Sequence, residues 1–409
     1  MGAATAGLPM LTLSYLIAAA GLIALHEYAI ARARRQGRAG GAAVRRILLG
    51  VALLCAMVFG ARSDVPLLRG TAALQESGSP PFEGAGDLFL RQTLEAQRPD
   101  RPFPEHGTVL DVQSWQEHVR AVLRTRSQLP SVPAQWSPPR KLQSEDLGDV
   151  RRILLEFTSW DGTRVPAYLH QPKDAADSPA VLVIPGHGRG IRATAGVGPP
   201  DYQHGVALEL ARSGYVTLTP ELRGFGWLGS QGPRDHVFVA LAALEAGSFY
   251  KAVVARDLER ALSILQDWPG VDRARLGAVG TSLGGELAVF LGALDSRIKV
   301  TVSHSYGGRV GPVSIADPEG QPPHGCHAIP GVNRILYQED WFRLLAPRPV
   351  QVIRGSRNSP PPPAPERFNA AVAAAFDRFG ARERFDFSIQ PGEHEAFIEA
   401  AVRFLRTWL

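Results

Sequence analysis

The chain is poor in cysteine: among 409 residues only Cys55 and Cys326 occur, and Cys55 lies within an apolar run. A disulfide framework is therefore excluded, and cysteine usage leaves the compartment open. Also missing are an internal repeat, the Lys-Ser/Thr of a P-loop and a complete dinucleotide fingerprint, so Gly186-His187-Gly188-Arg189-Gly190 does not make a nucleotide site and no cofactor is expected. A distributed basic surface is lacking too. The formal charge is +5, but Arg32, Arg34, Arg35, Arg38, Arg45 and Arg46 sit in one acid-free stretch, and without those six the balance is about −1 (5 − 6). A nucleic-acid partner needs basic residues spread over the folded surface, so that class is set aside.

What is present is globular. Hydrophobic residues make up 45% and charged residues 20%, while 42 Gly and 33 Pro imply many loops. The length exceeds one typical domain and predicts a core of roughly 250 to 300 residues with an N-terminal appendage.

Leu8 to Leu25 carries no charge and reaches helical spanning length; a second uncharged run covers Ile47 to Ala61, extended by snorkelling Arg45 and Arg46. The pair predicts a helical hairpin or signal-anchor segment over 1–61. The arginine-rich loop favours the cytoplasmic side, which places both ends and the rest of the chain outside. In the alternative, Arg45-Arg46 begins a signal peptide with Ile47 to Phe59 as its apolar segment, and the chain is secreted after cleavage. Both export the following part.

Residues 62–148 read as linker and helical extension: Pro- and Gly-rich at first, then Val112, Trp115, Val119, Val122 and Leu123 at helical spacing up to Leu129. From 149 to 409 the pattern changes. Ile153 to Phe157 and Val165 to Leu169 flank the turn Asp161-Gly162 and predict a hairpin. Short apolar runs then alternate with helical stretches: Ala180 to Ile184, Val216 to Thr219, Leu276 to Val279, Val300 to Ser303, Val350 to Ile353 and Phe385 to Ile389, before a last helix from about Ala396. Such alternation predicts an α/β fold with a mostly parallel sheet flanked by helices.

Gly280-Thr281-Ser282-Leu283-Gly284 follows the run Leu276 to Val279 and precedes a helical segment. Small neighbours allow the strained strand-to-helix turn of a nucleophile elbow, and the turn aims the helix N-terminus at a reacting carbonyl. Ser282 is thus the candidate nucleophile and the Leu283 amide a candidate oxyanion donor. The second donor is expected from the loop Pro185 to Gly190, at the amide of His187. His394, in Gly392-Glu393-His394-Glu395 after the last strand, occupies the general-base position in the order serine, acid, histidine.

These residues carry a family resemblance. Glu221-Leu222-Arg223-Gly224-Phe225-Gly226, Gly270-Val271-Asp272 leading into the elbow, Ala293 to Ile298 and Ala346-Pro347-Arg348-Pro349 resemble the dienelactone hydrolase and acetyl xylan esterase branch of the α/β-hydrolases from about residue 110 onward. The resemblance implies hydrolysis of carboxylic esters of small molecules or saccharides through an acyl-enzyme on Ser282, without a cofactor, and it matches His187 to the oxyanion position. It also implies an aspartate three residues after the glycine that closes the strand at 350–353. Here Gly355-Ser356-Arg357 is followed by Asn358.

Three assignments stay open: Asn358 orients the imidazole as an amide, Asp340 or Glu366 supplies the acid, or the domain is a weakened hydrolase acting as a binding module at the membrane. The prolines at 360–363 and Pro365 stiffen this loop. A prolyl oligopeptidase-like peptidase shares the triad logic, but no propeller-length N-terminal domain is evident. His324, Cys326 and His327 are too tightly spaced for a usual structural zinc site, and no metal is expected.

Overall fold

Helix α1 (Val109–Ser127) starts where Thr108 and Asp111 form a reciprocal capping box, satisfying two amides that a helix start leaves orphaned. One face, Val112, Trp115, Val119 and Leu123, is buried, and each fully buried aliphatic residue there contributes roughly 1.5–3 kcal/mol. The computed structural model describes residues 96–128, 136–229, 235–312, 325–358 and 364–409. The anchor expected over 1–61 and the linker up to residue 95 lie outside the described residues.

Nine strands follow: β1 (Arg140–Asp146), β2 (Val150–Thr158), β3 (Arg164–Pro172), β4 (Ser178–Ile184), β5 (Val216–Pro220), β6 (Val271–Thr281), β7 (Ile298–His304), β8 (Val350–Gly355) and β9 (Phe385–Gln390). They form one sheet in the order β1-β2-β3-β5-β4-β6-β7-β8-β9. The β1, β2, β3 and β5 neighbours pair antiparallel, and from β5 through β9 every pairing is parallel. The β2–β3 hairpin alternates buried and exposed residues, as a half-covered antiparallel pair should. Strands β4, β5 and β8 are buried along nearly their whole length because helices cover both faces.

The covering helices are α2 (Val206–Arg212), α3 (His236–Glu245), α4 (Tyr250–Gln266), α5 (Leu283–Leu294), α6 (Pro365–Arg378) and α7 (Ile398–Trp408). After β4 the chain moves to β5 on one side and later to β6 on the other, so the order reverses at β4. Parallel α/β sheets place ligands in the crevice at the carboxyl ends of the strands flanking such a reversal.

Two features lie outside the apolar pattern of the sequence. Strand β1 was not expected, because all seven of its residues, RKLQSED, are exposed and show no apolar alternation; it is a charged edge strand, the kind that resists edge-to-edge pairing. The division expected at residue 148 falls between β1 and β2, which pair in the same sheet. Residues 86–409 form one compact unit. Helix α1 belongs to the core cluster that lines the sheet, and Arg120 donates to Ala293 O and Leu344 O. Among the described residues no single helix is long and apolar enough to cross a membrane; α3 and α4 pass that test only as a pair bent by 106°.

Candidate active site

At the end of β6 Ser282 has φ 61° and ψ −123°, a conformation costly for a residue with a Cβ. The surroundings enforce it. Ser282 N–H donates to His304 O at 2.8 Å, and its carbonyl accepts from Glu286 N–H at 3.1 Å in the first turn of α5. A Cβ on Gly280 would stand 2.1 Å from Gly284 O, and one on Gly284 would stand 2.0 Å from Ile184 O. Only glycine fits either place. Leu283 is the first residue of α5, where an amide has no acceptor within the helix and the helix dipole favours negative charge.

The loop after β4 lies against this elbow: a Cβ on Gly186 would be 2.4 Å from Thr281 O and 3.2 Å from Ser282 Cβ. Glu221 holds the far end of the loop, accepting from the amides of Ile191, Leu222 and Trp227 at 3.1–3.3 Å. Burial pushes its carboxyl up to about 7 despite those three donors. Tyr202 closes the near end. Its hydroxyl donates to His187 O at 2.6 Å and, with Ser282 Cβ, borders the space that a Cβ on Gly186 would take.

His394 follows β9 and Asn358 follows β8. The His394 Nδ1 is 2.6 Å from Asn358 Oδ1. A carbonyl oxygen only accepts, so Nδ1 carries the hydrogen and Nε2 keeps its lone pair, the tautomer a general base needs. Burial lowers the His394 pKa, and the Arg354 guanidinium lowers it further. The two loops are stitched together by Ser356 N–H to Gln390 O at 2.8 Å and Arg357 N–H to Gly392 O at 2.9 Å. Tyr202 also meets the His394 loop: its ring centroid is 5.6 Å from that of His394, and its carbonyl accepts from Ala396 N–H at 2.9 Å.

Neither carboxylate alternative takes the imidazole. Asp340 is buried and occupied by Arg343 at 3.1 Å and the Tyr337 amide at 2.9 Å, while Glu366 is exposed on the first turn of α6. Both had been candidates only because sequence position alone does not say where a carboxylate points. The partner is the amide at the expected acid position.

A second polar group surrounds Glu286. This carboxylate bonds His327 Nδ1 and pairs with Lys251 Nζ at 2.5 Å. Burial alone would raise its pKa, but Lys251 and His327 outweigh that and hold it down to about 2. In return Glu286 overcomes the effect of burial on His327 and raises that imidazole to about 10. Cys326 Sγ lies 3.4 Å from His187 Nε2, and the ring of His187 faces those of His236 and His327 at centroid distances of 5.0 and 5.6 Å. His324 lies outside the described residues. Tyr202, Glu221, Lys251 and Glu286 were not singled out for the site from sequence, because no local motif marks them; only Glu221 fell within a segment already noticed.

The sheet order and the elbow at the end of β6 define an α/β-hydrolase. Within that class the chain resembles the acetyl xylan esterases: the acetyl xylan esterase family model matches residues 135–306. The hydrolase YtaP of Bacillus subtilis (strain 168) is 25% identical over 283 residues, 66% of this chain and 91% of that protein. An acetyl xylan esterase of Bacteroides fragilis NCTC 9343 superposes with a TM-score of 0.63 at 20% identity, covering 76% of this chain and 83% of the other. A glucuronoyl esterase of Solibacter usitatus gives 0.57 at 17% identity, covering 77% and 99%.

Proposed function

We propose that the protein is a serine carboxylesterase. Ser282 attacks the ester carbonyl, His394 Nε2 takes the serine proton and returns it to the leaving alkoxide, and water then releases the acid from the acyl-enzyme by the same relay. The amides of Leu283 and His187 are the oxyanion donors. Asn358 fixes the imidazole tautomer without supplying the charge that steadies imidazolium, so turnover is slower than with an aspartate there. The observation that carries this reading is the strained Ser282 at the carboxyl end of β6, with the helix N-terminus on one side and the His187 loop on the other.

The esterases among the similar structures support an ester of an acetylated or uronic saccharide as substrate. The uncharged runs at Leu8–Leu25 and Ile47–Ala61 with arginines between them support a membrane tether that leaves this domain outside the cytoplasm. Protease accessibility of the domain in intact cells tests that placement, and full protection would reject it.

The enzymatic claim is tested with p-nitrophenyl acetate and a fluorophosphonate label on the whole chain and on Ser282→Ala. Turnover and labelling that both vanish in the variant support the serine esterase. Neither signal in a folded wild-type chain would instead favour a second reading, a hydrolase-fold binding module, for which the amide at residue 358 is the specific argument.

A further inference from the structure

Cys326 is one of only two cysteines in the chain, and it is fully buried with its sulfur 3.4 Å from His187 Nε2. One nitrogen of His187, one nitrogen of His327 and the Cys326 sulfur all lie within 4.8 Å of one another. We propose that His187, Cys326 and His327 form a binding site for a divalent transition cation of the zinc type, beside the Ser282 elbow.

Four observations carry this. The donor set is a thiol and two imidazoles, the soft and borderline ligands that select zinc-like ions over magnesium or calcium. The spacing suits it: tetrahedral coordination with ordinary zinc–sulfur and zinc–nitrogen bonds puts S and N about 3.6 Å apart, and Cys326 Sγ is 3.4 Å from His187 Nε2. A support for the ligands is in place, because Glu286 binds His327 at Nδ1 and leaves Nε2 as the ligating nitrogen. A carboxylate on the far side of a ligating imidazole is the usual orienting partner in metal sites. Finally, Lys251 is buried against Glu286 and also donates to His327 O at 2.8 Å, so carboxylate, imidazole and backbone are held as one unit. Three protein ligands leave the fourth position for water or a pocket ligand, and the side chain of His327 is 32% exposed.

Cation binding replaces the thiol proton of Cys326 and any proton on His327 Nε2, while Nδ1–H stays with Glu286; no oxidant or further reactant is required. The ion also ties the Cys326-His327 turn to the loop after β4. The proposed ligand is the ring of His187 and not the backbone amide assigned to the oxyanion, so cation binding is read separately from ester hydrolysis.

The test is titration of the whole untagged chain with Co²⁺, read by absorption and followed by displacement with Zn²⁺. One Co²⁺ per chain with a thiolate-to-cobalt charge-transfer band is expected. The band is lost in Cys326→Ser and kept in Cys55→Ser. Glu286→Gln weakens binding roughly 10- to 100-fold, the usual effect of removing an orienting partner; His187→Gln and His327→Gln weaken it at least as much and do not leave Lys251 unpaired. Circular dichroism of each variant separates ligand loss from unfolding. Absence of saturable binding at submillimolar Co²⁺ and Zn²⁺, persistence of the band in Cys326→Ser, or unchanged affinity in both histidine variants would overturn the proposal and leave the cluster as a hydrogen-bonded polar core.

Discussion

Two imidazoles, His327 and His394, are held by opposite kinds of partner. His327 has a buried carboxylate on Nδ1 and is raised to about 10, whereas His394 has a neutral amide on Nδ1 and is lowered by burial and by Arg354. The chain therefore keeps a carboxylate–imidazole couple, but not at the histidine that follows the last strand. The environment of His394 favours the neutral ring and offers no charge to steady imidazolium. An imidazole that must stay fixed is served by that of His327. The difference separates two uses of the same side chain, and it can be broken from either side.

The largest effect is expected from the nucleophile. Ser282→Ala should lower ester hydrolysis at least about 10³-fold, measured with p-nitrophenyl acetate, and a smaller loss would mean that His394 and Asn358 flank a serine that does not react. Next comes the charged couple. Glu286→Gln leaves Lys251, 2% exposed, without its counter-charge. It should cost about 3–5 kcal/mol of stability in denaturant unfolding. A cost under about 1 kcal/mol is the size expected for an exposed pair and would show the couple to be solvent-screened.

The converse experiment puts a carboxylate on His394. Asn358→Asp should raise kcat at least about 10-fold, with about 10⁴-fold as the upper limit set by what removing that charge costs a serine protease. The acidic limb of kcat/KM should move to higher pH in the same variant, since a carboxylate stabilises imidazolium. A change in kcat without movement of the limb would place the gain elsewhere. The smallest effect concerns the wild type: because burial and Arg354 lower the His394 pKa, its acidic limb should fall below the ordinary histidine value of 6.5. Protonation inactivates a general base, so activity persists further into acid than an unperturbed imidazole allows. A limb above 6.5 in a pH–rate profile would require a nearby negative charge.

Much of the architecture was legible in the chain. The alternation from Ile153 to Ile389 predicted the hairpin and the parallel strands, because side-chain period and burial are set locally by each strand's neighbours. The elbow was legible because glycines at 280 and 284 have a steric reason that acts over a few residues. Strand β1 was not, since an exposed edge strand buries nothing and carries no apolar pattern. Helix α1 was recognised, yet its place in the main core was not, because amphipathicity tells that a face is buried and not against what.

The site divides in the same way. Sequence by itself determined the strained serine, the histidine after the last strand and the asparagine where an acid was expected, because each sits at a fixed offset from a strand end and the parallel sheet gathers those ends on one edge. Only the tertiary structure decided what each group faces. It gave His394 the amide of Asn358 rather than Asp340 or Glu366, set the Tyr202 hydroxyl on His187 O, and brought His187 across 139 residues to Cys326. The physical reason is range. Hydrogen bonds and metal coordination act over about 2 to 3.5 Å, and which side chains come that close depends on how loops from separate strands pack over the sheet.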